Sequence, residues 1–224
     1  MNIVALLPMK GNSERVPNKN LKQFCGRPLY HVVLETLLES KYIEKIIVNT
    51  DSEAIKQDAQ RNFGEKVIIH DRPKEIQGDF VSMNKIIEYD IANYKADIYI
   101  QTHSTNPLLT TESVNIAIEG MMSILKNKEF DSIFSVTKIQ TRLYDEKGKA
   151  FNHNPQELIR TQDLPPLFEE NSNFYVFTES SFHNSGCKRI GNRPKMAEID
   201  KLEAVDIDDP EDFIIAETLY KVLK

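Results

Sequence analysis

At 224 residues, with 40% apolar and 28% charged side chains, the chain has the length of one α/β domain and too much apolar content for extended disorder. A net charge of −6 with no basic run excludes a nucleic-acid footprint, and no apolar run approaches the ~20 residues of a membrane span. Two cysteines far apart, Cys25 and Cys187, match no metal spacing and read as reduced thiols; with an opening "MNIVALLPMKG" too short and uncharged for a secretion signal, a cytoplasmic protein is expected.

Apolar runs "IVALLP", "KIIVNTD", "KVIIHD", "ADIYIQT" and "DSIFSVT" alternate with amphipathic stretches opening near Leu29, Ser52, Ser82 and Thr111. That rhythm predicts a mostly parallel, doubly wound, Rossmann-like α/β sheet. Pro28, Ser52 and Thr111 supply helix start signals. From Lys138 to Phe168 the rhythm breaks, so 138–168 reads as an excursion from a single domain spanning 1–224. "NFYVFT", "MAEI" and "EAVDI" are then expected as strands, and "PEDFIIAETLYKVLK" as a closing helix with Pro210 in its first turn. Ligands of such sheets sit at the carboxyl ends of strands, here the places of "PMKGNSERVPNKN", "NTDS" and "THSTNP".

A phosphate cradle needs inward-turned backbone N–H groups, a small residue where the backbone comes close, and cations. Gly11, Asn12 and Ser13 offer the first two, and Lys10, Arg15 and Lys19 the third. Neither the Walker A nor the Gly-x-Gly-x-x-Gly pattern is present, and the loop taken alone reads better as an exposed charged turn at Pro17. Near the other end, "DID" puts Asp206 and Asp208 on one side of an extended segment, a pattern that suits a hard cation or, equally, a strand end beside a capped helix.

Read whole, "LLPMKGNSERVPNKNLKQFCGRPL" resembles the signature of the acylneuraminate cytidylyltransferases, the CMP-sialic acid synthetase family, approximately [IL]-P-A-R-G-G-S-K-x-[IV]-P-x-K-N-[IL]. Pro8, Gly11, Ser13, Val16, Pro17, Lys19, Asn20 and Leu21 fall on it in register, while Lys10, Asn12 and Glu14 depart from it. "VNTDSEAI", "HDRPKEIQGDFVS", "ADIYIQTHSTNPLL", "IRTQDLPPLFEENSNFYVF" and "VDIDDPEDF" are similar to five further blocks of that family, in order along the chain.

The resemblance implies transfer of CMP from CTP to the hydroxyl of a sialic-acid-like or other 2-keto-3-deoxy sugar acid, a step toward cell-surface polysaccharide, with Mg²⁺ as cofactor and pyrophosphate released. It implies that Lys10, Gly11, Asn12, Ser13, Lys19 and Asn20 hold the triphosphate, Arg72 and Ser82 the cytosine, and Asp206 and Asp208 the metal, with Lys10, Lys19 and the two aspartates catalytic. His103, Thr105, Asn106, Gln162 and Asn171 would meet the acceptor, and Arg160, with Arg142 as a second possibility, would reach it across a homodimer through the 138–168 excursion. Arg15, Arg72 and Asp51 also fit plain roles as solvated cations and a helix cap. His103 stands on the family's glutamine and Leu109 on its arginine, which suggests an acceptor of altered shape or charge. A non-sugar hydroxy acid, phosphate or phosphonate acceptor, or a non-catalytic nucleotide-binding homologue, are the alternatives.

Overall fold

The computed structural model describes residues 1–223. Seven strands form the main sheet: β1 (Ile3–Met9), β2 (Lys45–Thr50), β3 (Val67–Asp71), β4 (Ile98–Thr102), β5 (Ser132–Ile139), β6 (Leu167–Phe177) and β7 (Pro194–Glu198). Their order is β3-β2-β1-β4-β6-β5-β7, and only β6 runs against its neighbours. The mostly parallel, doubly wound expectation therefore holds. β1 is buried along its whole length because it is covered on both faces. Ile3, Ala5 and Leu7 enter one core with helices α1 (Leu29–Leu38), α2 (Glu53–Asn62) and α4 (Thr111–Asn127). Val4 and Leu6 enter the other with α3 (Met83–Asn93) and α5 (Glu179–Asn184). Among the described residues no helix is long and apolar enough to cross a membrane.

Helix starts follow the side-chain caps. Ser52 accepts from the Ile55 amide and Ser82 from the Asn84 amide, while α4 is capped by Thr110, one residue before the expected start. Two strand expectations change. "NFYVFT" is the end of an 11-residue strand that begins at Leu167 and pairs antiparallel with β5, Ile139 opposite Leu167, so the excursion is a long hairpin connection over 140–166. "EAVDI" is not a strand: residues 201–204 turn, and 205–208 have neither regular structure nor a sheet partner. The sheet edge there is already filled by β7, and the Ile207 amide donates instead to the Thr105 carbonyl, 2.9 Å away.

What holds 205–208 in place is a third apolar cluster. A two-strand hairpin, Gln23–Phe24 with Arg27–Pro28, turns through Cys25 and Gly26, both at positive φ (49° and 89°). It packs on the closing helix α6 (Pro210–Leu223), with Phe24 edge-on to Phe213 and Tyr220 and the Cys25 amide donating to Glu217. Ile207 is fully buried in this cluster. The period-two alternation survives without a sheet: Ile207 is anchored, and Asp206 and Asp208 flank it.

Candidate functional site

The loop after β1 is shaped by close contacts at Gly11 and Asn20. A Cβ on Gly11 would lie 2.8 Å from the Cβ of Ser52, so only glycine fits there. Its amide donates to Asp51 Oδ1 at 2.7 Å, which gives Asp51 a loop-anchoring role. Buried Asn20 ties two strand ends together, donating to the Lys10 carbonyl at 2.9 Å and accepting from the Ser104 hydroxyl at 2.6 Å. Lys10, Ser13, Arg15, Lys19 and Asn20 thereby line a cavity of about 440 Å³ at the carboxyl ends of β1 and β4, together with Arg72, His103, Thr105 and Asp208.

Cations and carboxylates interleave around it. Lys10 pairs with Asp79, and Arg15 with Asp208 at 2.8 Å. Lys19 donates to the Ile207 carbonyl at 2.5 Å and stands 4.0 Å from Asp208. Burial pushes the Lys19 pKa down, opposed by the charges of Asp208 and Asp206. Burial pushes the Asp206 carboxyl up, with the like charge of Asp208 adding to it while a Thr105 side-chain bond and Lys19 oppose. Asp206 Oδ1 is buried with no hydrogen-bond partner. A desolvated carboxylate oxygen without a donor, beside a second carboxylate, is an arrangement that a hard divalent cation completes. Asp208 also lines a second cavity of about 550 Å³, where Asp206 lies with Asn171, Thr137, Glu169, Glu170 and Lys201. The neighbouring Asp209 and Asp212 cap α6, the Asp212 carboxylate accepting from the amides of Asp208 and Asp209 at 3.0 Å.

The remaining sequence-derived candidates divide. Arg72 lines the first cavity, but its Nε and Nη2 donate to Asn49 and to the Met9 carbonyl, and Asn49 in turn donates to buried Asp90. Ser82 is exposed and caps α3; Val81 and Met83 line the cavity instead. Asn12 is exposed, and Gly11 shapes the loop from behind it, its amide already committed to Asp51. Asn106 is wholly buried with both side-chain polar atoms unpartnered, and lines neither cavity. Asn171 lies in the second cavity, apart from His103 and Thr105 in the first. Arg160 and Gln162 lie on the excursion, Arg160 forming a two-pronged pair with Asp163, and neither lines either of these two cavities. Leu109 is fully buried in the main core, so the arginine missing at that position carries no information about the acceptor.

The sequence reading missed Arg189, on the connection between α5 and β7. Its guanidinium lies 3.7 Å from the Tyr175 ring centroid, donates to Gln101 Oε1 at 2.7 Å and reaches within 3.3 Å of His103 Nε2. Burial lowers its pKa, and among the described residues it forms no ion pair. Nothing in "GCKRIGNRP" distinguishes it from Lys188 or Arg193.

The chain is 29% identical to an N-acylneuraminate cytidylyltransferase B of Danio rerio over 95% of its own length, though it spans only 50% of that relative. It is 23% identical to a pseudaminic acid cytidylyltransferase of Campylobacter jejuni, over 99% of this chain and 97% of that one. A CMP:2-keto-3-deoxy-manno-octonic acid synthetase solved with CTP superposes over the whole of both chains with a TM-score of 0.72 at 16% identity, which bears on the fold. The model of the cytidylyltransferase family matches residues 4–221, and the chain belongs to that family.

Proposed function

We propose that this protein transfers CMP from CTP to the hydroxyl of a sialic-acid-like or related 2-keto-3-deoxy sugar acid, with Mg²⁺, releasing pyrophosphate. The observation that carries the reading is the cation-lined cavity at the ends of β1 and β4, with Asp208 in its wall and, two residues before it, the desolvated carboxylate of Asp206 in the adjoining cavity that Asp208 also lines. Lys10 and Lys19 offset triphosphate charge, and Arg72 stands at the same wall for the nucleobase end. Asp206 and Asp208 would hold Mg²⁺, which supplies charge neutralisation at the transferring phosphoryl group when bound. The acceptor hydroxyl attacks the α-phosphorus, and the bond to the pyrophosphate oxygen breaks. Lys19 is well placed for this step because it is already partly stripped of water and held by the Ile207 carbonyl. Exposed Phe151 and Leu158 on the excursion, with exposed Phe168 at the start of β6, support a homodimer, in which Arg160 would serve a second chain.

The test is single-turnover assay of the purified chain with each of CTP, ATP, GTP and UTP against a panel of acceptors: sialic, pseudaminic and 3-deoxy-octulosonic acids, hydroxy acids, phosphates and phosphonates. CTP is expected to bind at least tenfold better than the others, about 1.4 kcal/mol, with a CMP-sugar product. Equal nucleotide affinities, or product only from a phosphate or phosphonate, would overturn it.

A further inference from the structure

Apart from the residues that line the two cavities, three different ligand groups converge. Cys187 Sγ lies 3.4 Å from Glu88 Oε1 on α3 and 3.6 Å from His183 Nδ1 on α5, and the three donor atoms fall within 4.8 Å of one another. We propose that Glu88, His183 and Cys187 form a binding site for a transition-metal ion of the Zn²⁺ class.

Bond lengths of about 2.3 Å to sulfur and about 2.0–2.2 Å to nitrogen and oxygen, at tetrahedral angles, put ligand atoms about 3.6 Å apart. The two separations involving Cys187 already match that spacing. The ligand types discriminate among ions: one thiolate and one imidazole with one carboxylate suit Zn²⁺, whereas Mg²⁺ takes oxygen alone. On its other side the imidazole faces a carboxylate, the kind of partner that metal-bound histidines take. Its other nitrogen, Nε2, lies 3.7 Å from Glu179 Oε1, and that carboxylate is fixed by Lys95. Cys187 sits at φ 57°, directly after Gly186 at φ 78°, so the backbone takes up an uncommon conformation at the residue that turns its sulfur toward α3. Exposed Glu88 and His183 leave the fourth position open to water and give the ion a path in. The sequence offered no such spacing because Glu88 comes from an element far away along the chain.

An ion here would brace α3 against the segment that carries Arg189. That residue lies two positions after Cys187, and its amide already bonds to Asn84 on α3.

The experiment is calorimetric titration of the metal-stripped full chain with Zn²⁺, in excess Mg²⁺ so that carboxylate-only sites are filled, alongside absorption spectroscopy with Co²⁺. One Zn²⁺ per chain is expected, with a thiolate-to-cobalt charge-transfer band that disappears in Cys187→Ser. Zn²⁺ affinity should fall on the order of tenfold or more in Cys187→Ser and in His183→Ala. Circular dichroism monitors folding of both, and either folded variant suffices. Absence of the cobalt–thiolate band, or a smaller loss of Zn²⁺ affinity in the folded variants, overturns the site.

Discussion

Burial and the nearby cations Arg189 and Lys19 push the His103 imidazole down to about 3, so it is neutral at physiological pH. Arginine can only donate, and the amide nitrogen of Gln101 also points at Nε2 from 3.3 Å; Nε2 is therefore the acceptor, and Nδ1 carries the proton. A neutral ring with one donor and one acceptor is close in chemistry to glutamine, the residue that the resembling signature has at this place. His103→Gln should thus keep the acceptor KM within about threefold. His103→Ala should raise it on the order of tenfold, as loss of one hydrogen bond to a charged group does, with the KM for CTP unchanged. The linkage sign follows from the lowered pKa. Between about pH 6.5 and 3 the unfolded chain takes up a proton that the folded chain refuses, so stability falls with acid. Urea titrations from pH 7 to 4 should show a shallower fall in His103→Gln than in the wild type; parallel curves would contradict the neutral assignment.

At the scale of elements, α1 and α2 are fastened by one carboxylate. Tyr30 Oη donates to Asp58 Oδ2, and His31 Nε2 lies 2.6 Å from the same oxygen. Burial opposes ionisation of Asp58, but these two partners outweigh it and hold its carboxyl below the usual range. A depressed carboxylate stabilises above its unfolded pKa and loses that contribution as pH falls through the folded value. Asp58→Asn should therefore cost about 1–3 kcal/mol at pH 7 and less as the pH falls below the ordinary carboxylate range, read from urea midpoints across that range. Most of the helices and parallel strands were legible in the chain, since fully covered strands appear as unbroken apolar runs and Ser52 and Ser82 announce helix starts. Direction was not: "NFYVFT" has the composition of a parallel core strand, and only pairing with β5 across the long hairpin reverses it. "EAVDI" has a strand's alternation because Ile207 is buried in the hairpin–α6 cluster, a constraint that period alone cannot tell from a sheet. Leu109 and Arg189 were misread or missed for a related reason. One is a core residue in a loop, and the other becomes a site neighbour only through contacts with Tyr175 and Gln101.

Over the whole molecule, the site depends on three distant stretches meeting: the loop after β1, the end of β4, and the segment before α6. Asn20 joins the first two, and Lys19 with the Ile207 amide joins both to the third. The motifs of all three were readable, but their division into two cavities that meet at Asp208, with Asp206 in the second, was not, since it follows from packing of the hairpin and α6. The claim that this junction is the reaction centre is tested most directly by turnover across a Mg²⁺ titration for wild type, Asp206→Asn and Asp208→Asn, with the thermal midpoint measured alongside. Both variants should remain folded, Asp206→Asn at least as stable as the wild type without Mg²⁺ because a desolvated charge is removed, and both should turn over on the order of a hundredfold more slowly. Near-normal turnover at low Mg²⁺ in both would contradict the account.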